Sequence, residues 1–564
     1  MRGWAVPVVV LSVAGALAGC IGGANDSGTG SGQDLTQVEE TLLELGRLVD
    51  ARIPLPDGLS VHGTVYLPDV PDGVKVPVVM DLGPYYYDTQ TYDPEFPPGM
   101  LYYHFLQRGY AIALVSLRGT GSSEGCFTIG GPQEWSDAAA IVEWLAAQEW
   151  SNGNVAMTGV SYDGTTPWEA AVTGTPSLKA IVPVEGISDM YRYSFFEGVP
   201  AYLGGGTLFH SYYMPLVDWT YLDPQGIDAW AAVQSTNVCP GTPTVVAEPY
   251  GTWRDGGVHG PFWDERDMSA NLDQVKAATF VVHGFRDWNV KPDNVQFLWD
   301  DLPAPKRLLF GQWEHNIPWE SSLGEDWDYH AYNDTITQWF DAFLKNDSAA
   351  RDAALAAPPV MAQDSRGAWW NLTEWPPRES ALTPLKLDFK YTMRAAPSNT
   401  SQAYVFAAQQ VAGTALPTAG LLTAPTSVAW RSPTLKQPLH LMGNPEATFT
   451  IQVDRPAGYL NAHLYDVDYA GETTEITPGF VSLVVRESRD QASAVPVDSP
   501  FEVNVKFYAT NHVVEAGHAL RLVLESSDPS LNPIQPEVTT FTVLVGQGNV
   551  NEVRLPVFSG SLPE

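Results

Sequence analysis

Cysteine is nearly absent from this chain, with only Cys20, Cys126 and Cys239 among 564 residues. No CxxC pair and no HExxH segment occurs, so no thiolate or zincin donor set is available and no metal is expected. Lysine is scarce too, at ten residues. All basic residues number 30 against 65 acidic ones, for a formal net charge of −35. Such a field repels a phosphate backbone and argues against nucleic acid as a partner. Beyond the N-terminus no apolar run reaches membrane-spanning length, so the rest is expected to be soluble, and no internal repeat is visible. What is present suffices for large packed cores: 44% hydrophobic and 11% aromatic residues, in a chain long enough for two or three domains.

The N-terminus carries Arg2, an apolar stretch from Trp4 to Leu17, and the small residues Ala18 and Gly19 before Cys20. A charged start, a short apolar core and a small-residue end read as a secretory signal. Leu17-Ala18-Gly19-Cys20 resembles the lipobox of prokaryotic lipoproteins, which implies lipidation at Cys20 and a membrane contact through that anchor alone. An ordinary cleaved signal with an incidental cysteine is the alternative. Residues 1–20 are therefore assigned to the signal and 21–38, rich in glycine and serine, to a flexible tether. An oxidising exterior permits a Cys126–Cys239 disulfide; two free thiols are equally compatible with the spacing.

Short apolar runs at Val76–Met80, Ala111–Val115, Val155–Thr158, Ala180–Val184, Ala278–Val282 and Arg307–Phe310 alternate with helix-compatible stretches, among them Leu101–Arg108 and Asp137–Ala147. An opening strand pair is expected over Leu55–Leu67, and a helix just after Gly164. Strands alternating with helices imply a mostly parallel sheet covered on both faces. The alternation lapses over about 188–272, an aromatic-rich stretch expected to be a helical cap insertion. Beyond Pro358 period-two runs replace helical spacing, as in Ala447–Val453, Phe501–Phe507 and Leu520–Leu524. An α/β catalytic domain over 39–358 and an all-β antiparallel sandwich over 359–564 are therefore expected.

Gly159-Val160-Ser161-Tyr162-Asp163-Gly164 follows a strand and precedes a helix, the setting of a nucleophile elbow. A serine hydroxyl needs a base, and in an α/β-hydrolase the chain order is serine, acid, histidine, each after a later strand. Asp287, in His283-Gly284-Phe285-Arg286-Asp287-Trp288, and His315, in Gly311-Gln312-Trp313-Glu314-His315, fall where that order requires. The rivals His283, Asp163 and Asp293 are read as packing, turn or solvent residues. The tetrahedral intermediate needs two donors: the N–H of Tyr162 and a group from the loop Leu82-Gly83-Pro84-Tyr85-Tyr86-Tyr87.

With these residues in place, the chain resembles the Xaa-Pro dipeptidyl-peptidase and cocaine esterase superfamily of serine hydrolases. The resemblance is carried by Gly83-Pro84-Tyr85, Arg118-Gly119-Thr120-Gly121-Ser122-Ser123-Glu124-Gly125, Glu143-Trp144-Leu145, Trp150-Ser151-Asn152-Gly153 and Gly159–Gly164. In the C-terminal part it is carried by Ala462–Val467 and Gly517–Leu522. It implies an α/β-hydrolase fold with a jelly-roll domain behind it, no cofactor, and the Tyr85 hydroxyl as second oxyanion donor. The acid loop Asp287-Trp288-Asn289-Val290-Lys291 resembles the dipeptidyl-peptidase version, while the overall layout is nearer to cocaine esterase. Trp168, Trp288, Asp189 and Glu197 are the candidate pocket residues, the two acids as grips for a substrate amine. Three functions follow: release of Xaa-Pro dipeptides from peptides, hydrolysis of small acyl or aryl esters, or an inactive surface binding protein.

Overall fold

The computed structural model describes residues 46–85, 97–200, 251–252, 255–303, 305–315, 318, 329–345, 347–388, 392–394, 402–407, 427–526, 539–546 and 548–563. The signal, the tether, Tyr86, Tyr87, Cys239 and most of the cap insertion lie outside them. Among the described residues no helix is long and apolar enough to cross a membrane.

Ten strands form the first sheet: β1 (Gly46–Pro54), β2 (Ser60–Pro68), β3 (Val76–Gly83), β4 (Ala111–Ser116), β5 (Ser151–Val160), β6 (Leu178–Val184), β9 (Ala278–Gly284), β10 (Lys306–Gly311), β11 (Val360–Gln363) and β12 (Trp369–Leu372). β7 (Phe195–Phe196) and β8 (Val199–Pro200) pair separately at the stem of the cap. The order across the sheet is β1-β2-β4-β3-β5-β6-β9-β10-β11-β12. From β4 to β11 every neighbouring pair is parallel, and the antiparallel pairs lie at the two ends. β3, β4 and β9 are buried at every position, as parallel strands covered on both faces must be. Alternation then sorts them: Val78, Met80 and Leu82 enter one core, Val79 the other. The first core is closed by α2 (Pro132–Ala146) and α3 (Tyr162–Ala171), the second by α1 (Pro97–Gln107) and α7 (Tyr329–Leu344). Between these come α4 (Met190–Ser194), α5 (Pro261–Asp264) and α6 (Asp293–Trp299), and α8 (Ser348–Ala356) follows.

Three expectations are corrected. The opening hairpin starts at Gly46, with Leu55–Leu59 as its turn, because the first strand carries Arg47, Asp50 and Arg52 on its half-exposed edge and lacks an apolar run. The helix of the elbow begins at Tyr162, since the turn at Ser161 feeds straight into it. The first sheet also runs past residue 358: β11 is parallel to β10, and β12 turns back on β11. β12 is thus the edge of the first sheet, and the all-β domain begins at the strand Ala381–Leu387.

That domain is built of mostly antiparallel strands around one apolar cluster that includes Phe449, Ile451, Leu460, Val505, Leu522 and Phe541. The period-two runs expected from the sequence are the strands Glu446–Val453, Phe501–Phe507 and Ala519–Glu525. Polar contacts join it to the α/β domain beside an apolar seam. Arg366 forms a two-bond pair with Glu515, at 2.5 and 2.7 Å, and Asn444 donates to Asp293 at 2.7 Å.

Candidate active site

Ser161 sits between β5 and α3 with φ 64° and ψ −119°, a conformation costly for any residue with a side chain. Its N–H donates to the carbonyl of Val184 at the end of β6, 3.0 Å away. The flanking glycines are required by crowding. A Cβ on Gly159 would stand 2.5 Å from the Asp163 carbonyl oxygen, and one on Gly164 would stand 2.3 Å from that of Val184. Asp163, expected as a solvent or turn residue, is instead buried against Gly83, where the loop leaves β3.

Tyr162 opens α3, so its N–H lies in the first turn, where helix N–H groups have no intrahelical acceptor. Its side chain is pinned from below. The hydroxyl donates to Glu134 on α2 at 2.6 Å and accepts from the Gly130 N–H at 2.6 Å, and the ring leans on Phe127. Cys126, at the head of this loop, is disulfide-bonded; its expected partner Cys239 lies outside the described residues. Tyr85 is half-buried against the first core, two residues beyond β3.

Asp287 and His315 follow the adjacent parallel strands β9 and β10, and they meet: Nδ1 of His315 is 2.8 Å from Oδ2 of Asp287. The other Asp287 oxygen accepts from the Asn289 and Val290 N–H groups at 3.0 and 2.8 Å. The carboxylate is fully buried, and these contacts fix its orientation toward the imidazole. Burial works against a charged imidazole, yet the carboxylates beside it overcome this and hold His315 well above its ordinary range. His283 is buried, kept below its ordinary range by desolvation, and bonded to the Val290 carbonyl at 2.7 Å, so it braces the acid loop.

The proposed pocket residues separate. Trp288 packs at the joint of Phe196, Val199, Tyr459, Phe480 and Tyr508, between cap stem and C-terminal domain. Trp168 is 2% exposed and belongs to the core with Val281, Val295 and Trp299, because it faces inward on a helix buried all round. Asp189 is a cap and an ion-pair partner, not an open grip. Oδ1 accepts from the Tyr191 and Arg192 N–H groups, and Oδ2 is 3.2 Å from both Arg192 and Arg489. Glu197 pairs with Lys506 of the C-terminal domain at 3.0 Å. Asp293, expected as a solvent or turn residue, is buried and bonded to Asn444.

Glu185 was not foreseen. It follows β6 directly, is fully buried, and places Oε2 3.2 Å from Nδ1 of His315. Its backbone φ of +49° is a second strained position beside Ser161. The signal that could have found it is positional, as a carboxylate just past the strand between nucleophile and acid. Arg118, quoted above only for the resemblance, takes a structural role. It opens the Arg118–Gly125 segment, buried between Asp137 and Asp57, and Glu124 accepts from the Ser60 N–H, so this segment straps β2 to the sheet.

An elbow serine, an acid–histidine pair and this strand order define a serine hydrolase of the α/β-hydrolase fold. Residues 57–316 match the X-Pro dipeptidyl-peptidase (S15 family), and residues 353–551 match the X-Pro dipeptidyl-peptidase C-terminal non-catalytic domain. The two matches lie end to end along the chain, which is thus similar in both its parts to the X-Pro dipeptidyl-peptidases of the S15 family. A Bacillus anthracis protein to which Xaa-Pro dipeptidyl-peptidase activity is ascribed is 28% identical over 548 residues, covering 89% of this chain and 84% of that one. In fold the chain is similar to an aminopeptidase from a marine sediment Thaumarchaeota archaeon, with a TM-score of 0.73 at 17% identity, over 95% of this chain and 99% of that one. A CocE/NonD family hydrolase from Staphylococcus aureus superposes with a TM-score of 0.70 at 19% identity, over 90% of this chain and 94% of that one.

Proposed function

We propose that this serine hydrolase releases Xaa-Pro dipeptides from the N-termini of peptides, with Ser161 as nucleophile, His315 as base and Asp287 as its orienting acid. The observation that carries it is the meeting of Asp287 and His315 beyond neighbouring strands, in a chain that matches both S15-family domains. Ser161 Oγ gives its proton to Nε2 of His315 as it attacks the substrate carbonyl. The C–O bond forms and the carbonyl electron pair moves to oxygen, which the Tyr162 N–H and the Tyr85 hydroxyl receive. The imidazolium then protonates the leaving amine as the C–N bond breaks, and water repeats the sequence on the acyl-enzyme. The superfamily's acyl chemistry also serves esters. The test compares kcat/KM on an Ala-Pro anilide, its N-blocked form and a short-chain aryl ester. A preference for the free-amine anilide supports the reading; equal rates on the blocked form, or a preference for the ester, overturn it.

The same proposal places the enzyme outside the cell, held to the membrane by lipid on Cys20. The run Leu17–Cys20 and the Gly/Ser-rich segment after it support this. Wild-type protein should partition with membranes and Cys20→Ser should not; a soluble mature wild type beginning at another residue would refute it.

A further inference from the structure

We propose that Glu185 is a second positioning acid of the catalytic histidine, sharing Nδ1 of His315 with Asp287. This rests on the serine-hydrolase reading above. Three observations converge. Oε2 of Glu185 is 3.2 Å and Oδ2 of Asp287 2.8 Å from the same nitrogen, so one N–H faces two carboxylates. Glu185 is fully buried, where a carboxylate is retained only against a compensating partner. Its left-handed φ of +49° would suit glycine, and glycine stands at the next position, 186; a glutamate held there at a cost in strain argues that its side chain is needed.

Backbone bonds tie the residue into the machinery from both sides. The N–H of Glu185 donates to the carbonyl of Val282 on the strand that carries Asp287, and the preceding carbonyl, Val184, receives the N–H of Ser161. Glu185 is thus braced between nucleophile and acid. Two carboxylates on Nδ1 fix the tautomer that leaves Nε2 free to take the serine proton, and they stabilise the imidazolium that results. The other titratable groups facing this cluster are His283 on β9, Lys291 in the acid loop and Tyr332 on α7. Burial pushes Lys291 down to about 7, within the window of the measurement, so profiles are compared only between variants that keep it.

The experiment follows the pH profile of inactivation by a fluorophosphonate, which reads the serine–histidine unit without reference to substrate. Removing one negative charge disfavours the imidazolium, so Glu185→Gln should move the acid limb to lower pH. Reactivity on the acid side, relative to the plateau, should rise roughly tenfold. Asp287→Asn should retain roughly tenfold more reactivity than the Asp287→Asn/Glu185→Gln double variant, because one carboxylate still holds the ring. A Glu185→Gln profile that superimposes on wild type, or a double variant no worse than Asp287→Asn, overturns the inference. If Glu185→Gln does not fold, judged by thermal melting, Glu185→Asp draws the carboxylate back from the ring. It should displace the limb in the same direction, and an unmoved limb overturns the inference. Ser161→Ala separates the two levels. Labelling that persists there sinks the serine-hydrolase reading itself, whereas labelling abolished there with an unmoved Glu185→Gln limb sinks only the role of Glu185.

Discussion

In the α/β domain the interior holds Arg118, Glu134, Asp137, Glu169, Glu185, Asp189, Asp287, Lys291 and Asp293, all nearly inaccessible. In the C-terminal domain the buried members of those residue types, among the described residues, are Asp388 and Asp466. Backbone strain divides the same way. Ile129, Ser161, Glu185 and Glu197 have left-handed φ in the first domain, and Asp498 does in the second. One region concentrates buried charge and strain near the elbow and the acid loop; the other is a largely apolar sandwich whose buried charges are fewer, chiefly Asp466 and the His463 held between Glu475 and Glu525. Since a buried charge or a strained residue each costs on the order of kcal/mol, their concentration on one side marks where the chemistry lies. The sandwich supplies Arg489, Lys506 and Asn444, which neutralise or bond Asp189, Glu197 and Asp293 across the joint.

The comparison can be broken at its extremes. Ser161→Ala should lower kcat by about a million-fold while leaving the melting temperature nearly unchanged, because the loss lies in chemistry and not packing. Residual turnover within tenfold of wild type would place the nucleophile elsewhere. Phe449→Ala, in the centre of the sandwich, should do the reverse. It should cost about 3–5 kcal/mol of unfolding free energy, read in a denaturant titration, while kcat/KM per folded molecule stays at the wild-type value.

Finer effects sharpen the contrast. Tyr85→Phe removes one hydroxyl and keeps the ring. It should lower kcat about 100- to 1000-fold with little change in KM, since the donor meets charge only in the intermediate. Full activity would assign the second donor to a backbone N–H. The pH profile of kcat/KM should rise through a limb lying above the ordinary histidine range near 6.5. The sign follows from the neutral imidazole being the base: carboxylates that favour its protonated form delay the active form to higher pH. A limb below 6.5 would mean that burial outweighs both carboxylates. Smallest of all, Arg489→Ala should cost about 0.5–1 kcal/mol of stability, because Arg192 still pairs with Asp189. A loss of several kcal/mol would show the joint to be integral to the fold of the first domain.

The sequence by itself determined what depends on neighbours in the chain. Gly159–Gly164 announced the elbow because a sharp turn between strand and helix demands small residues at set offsets. The order of Ser161, Asp287 and His315 followed from strand order, and the period of apolar residues separated parallel sheet from sandwich. Tertiary structure alone decided what depends on side chains distant along the chain. Asp189 and Glu197 read as open acids, yet their partners Arg489 and Lys506 lie in another domain. Trp168 read as a pocket aromatic, but α3 is buried on every side. The boundary after Pro358 fell too early, because the pairing that adds β11 and β12 to the first sheet joins them to a strand about fifty residues back in the chain. Glu185 gave only its position past β6 as a signal, since the packing of β6, β9 and β10 side by side is what brings its carboxylate to the ring of His315.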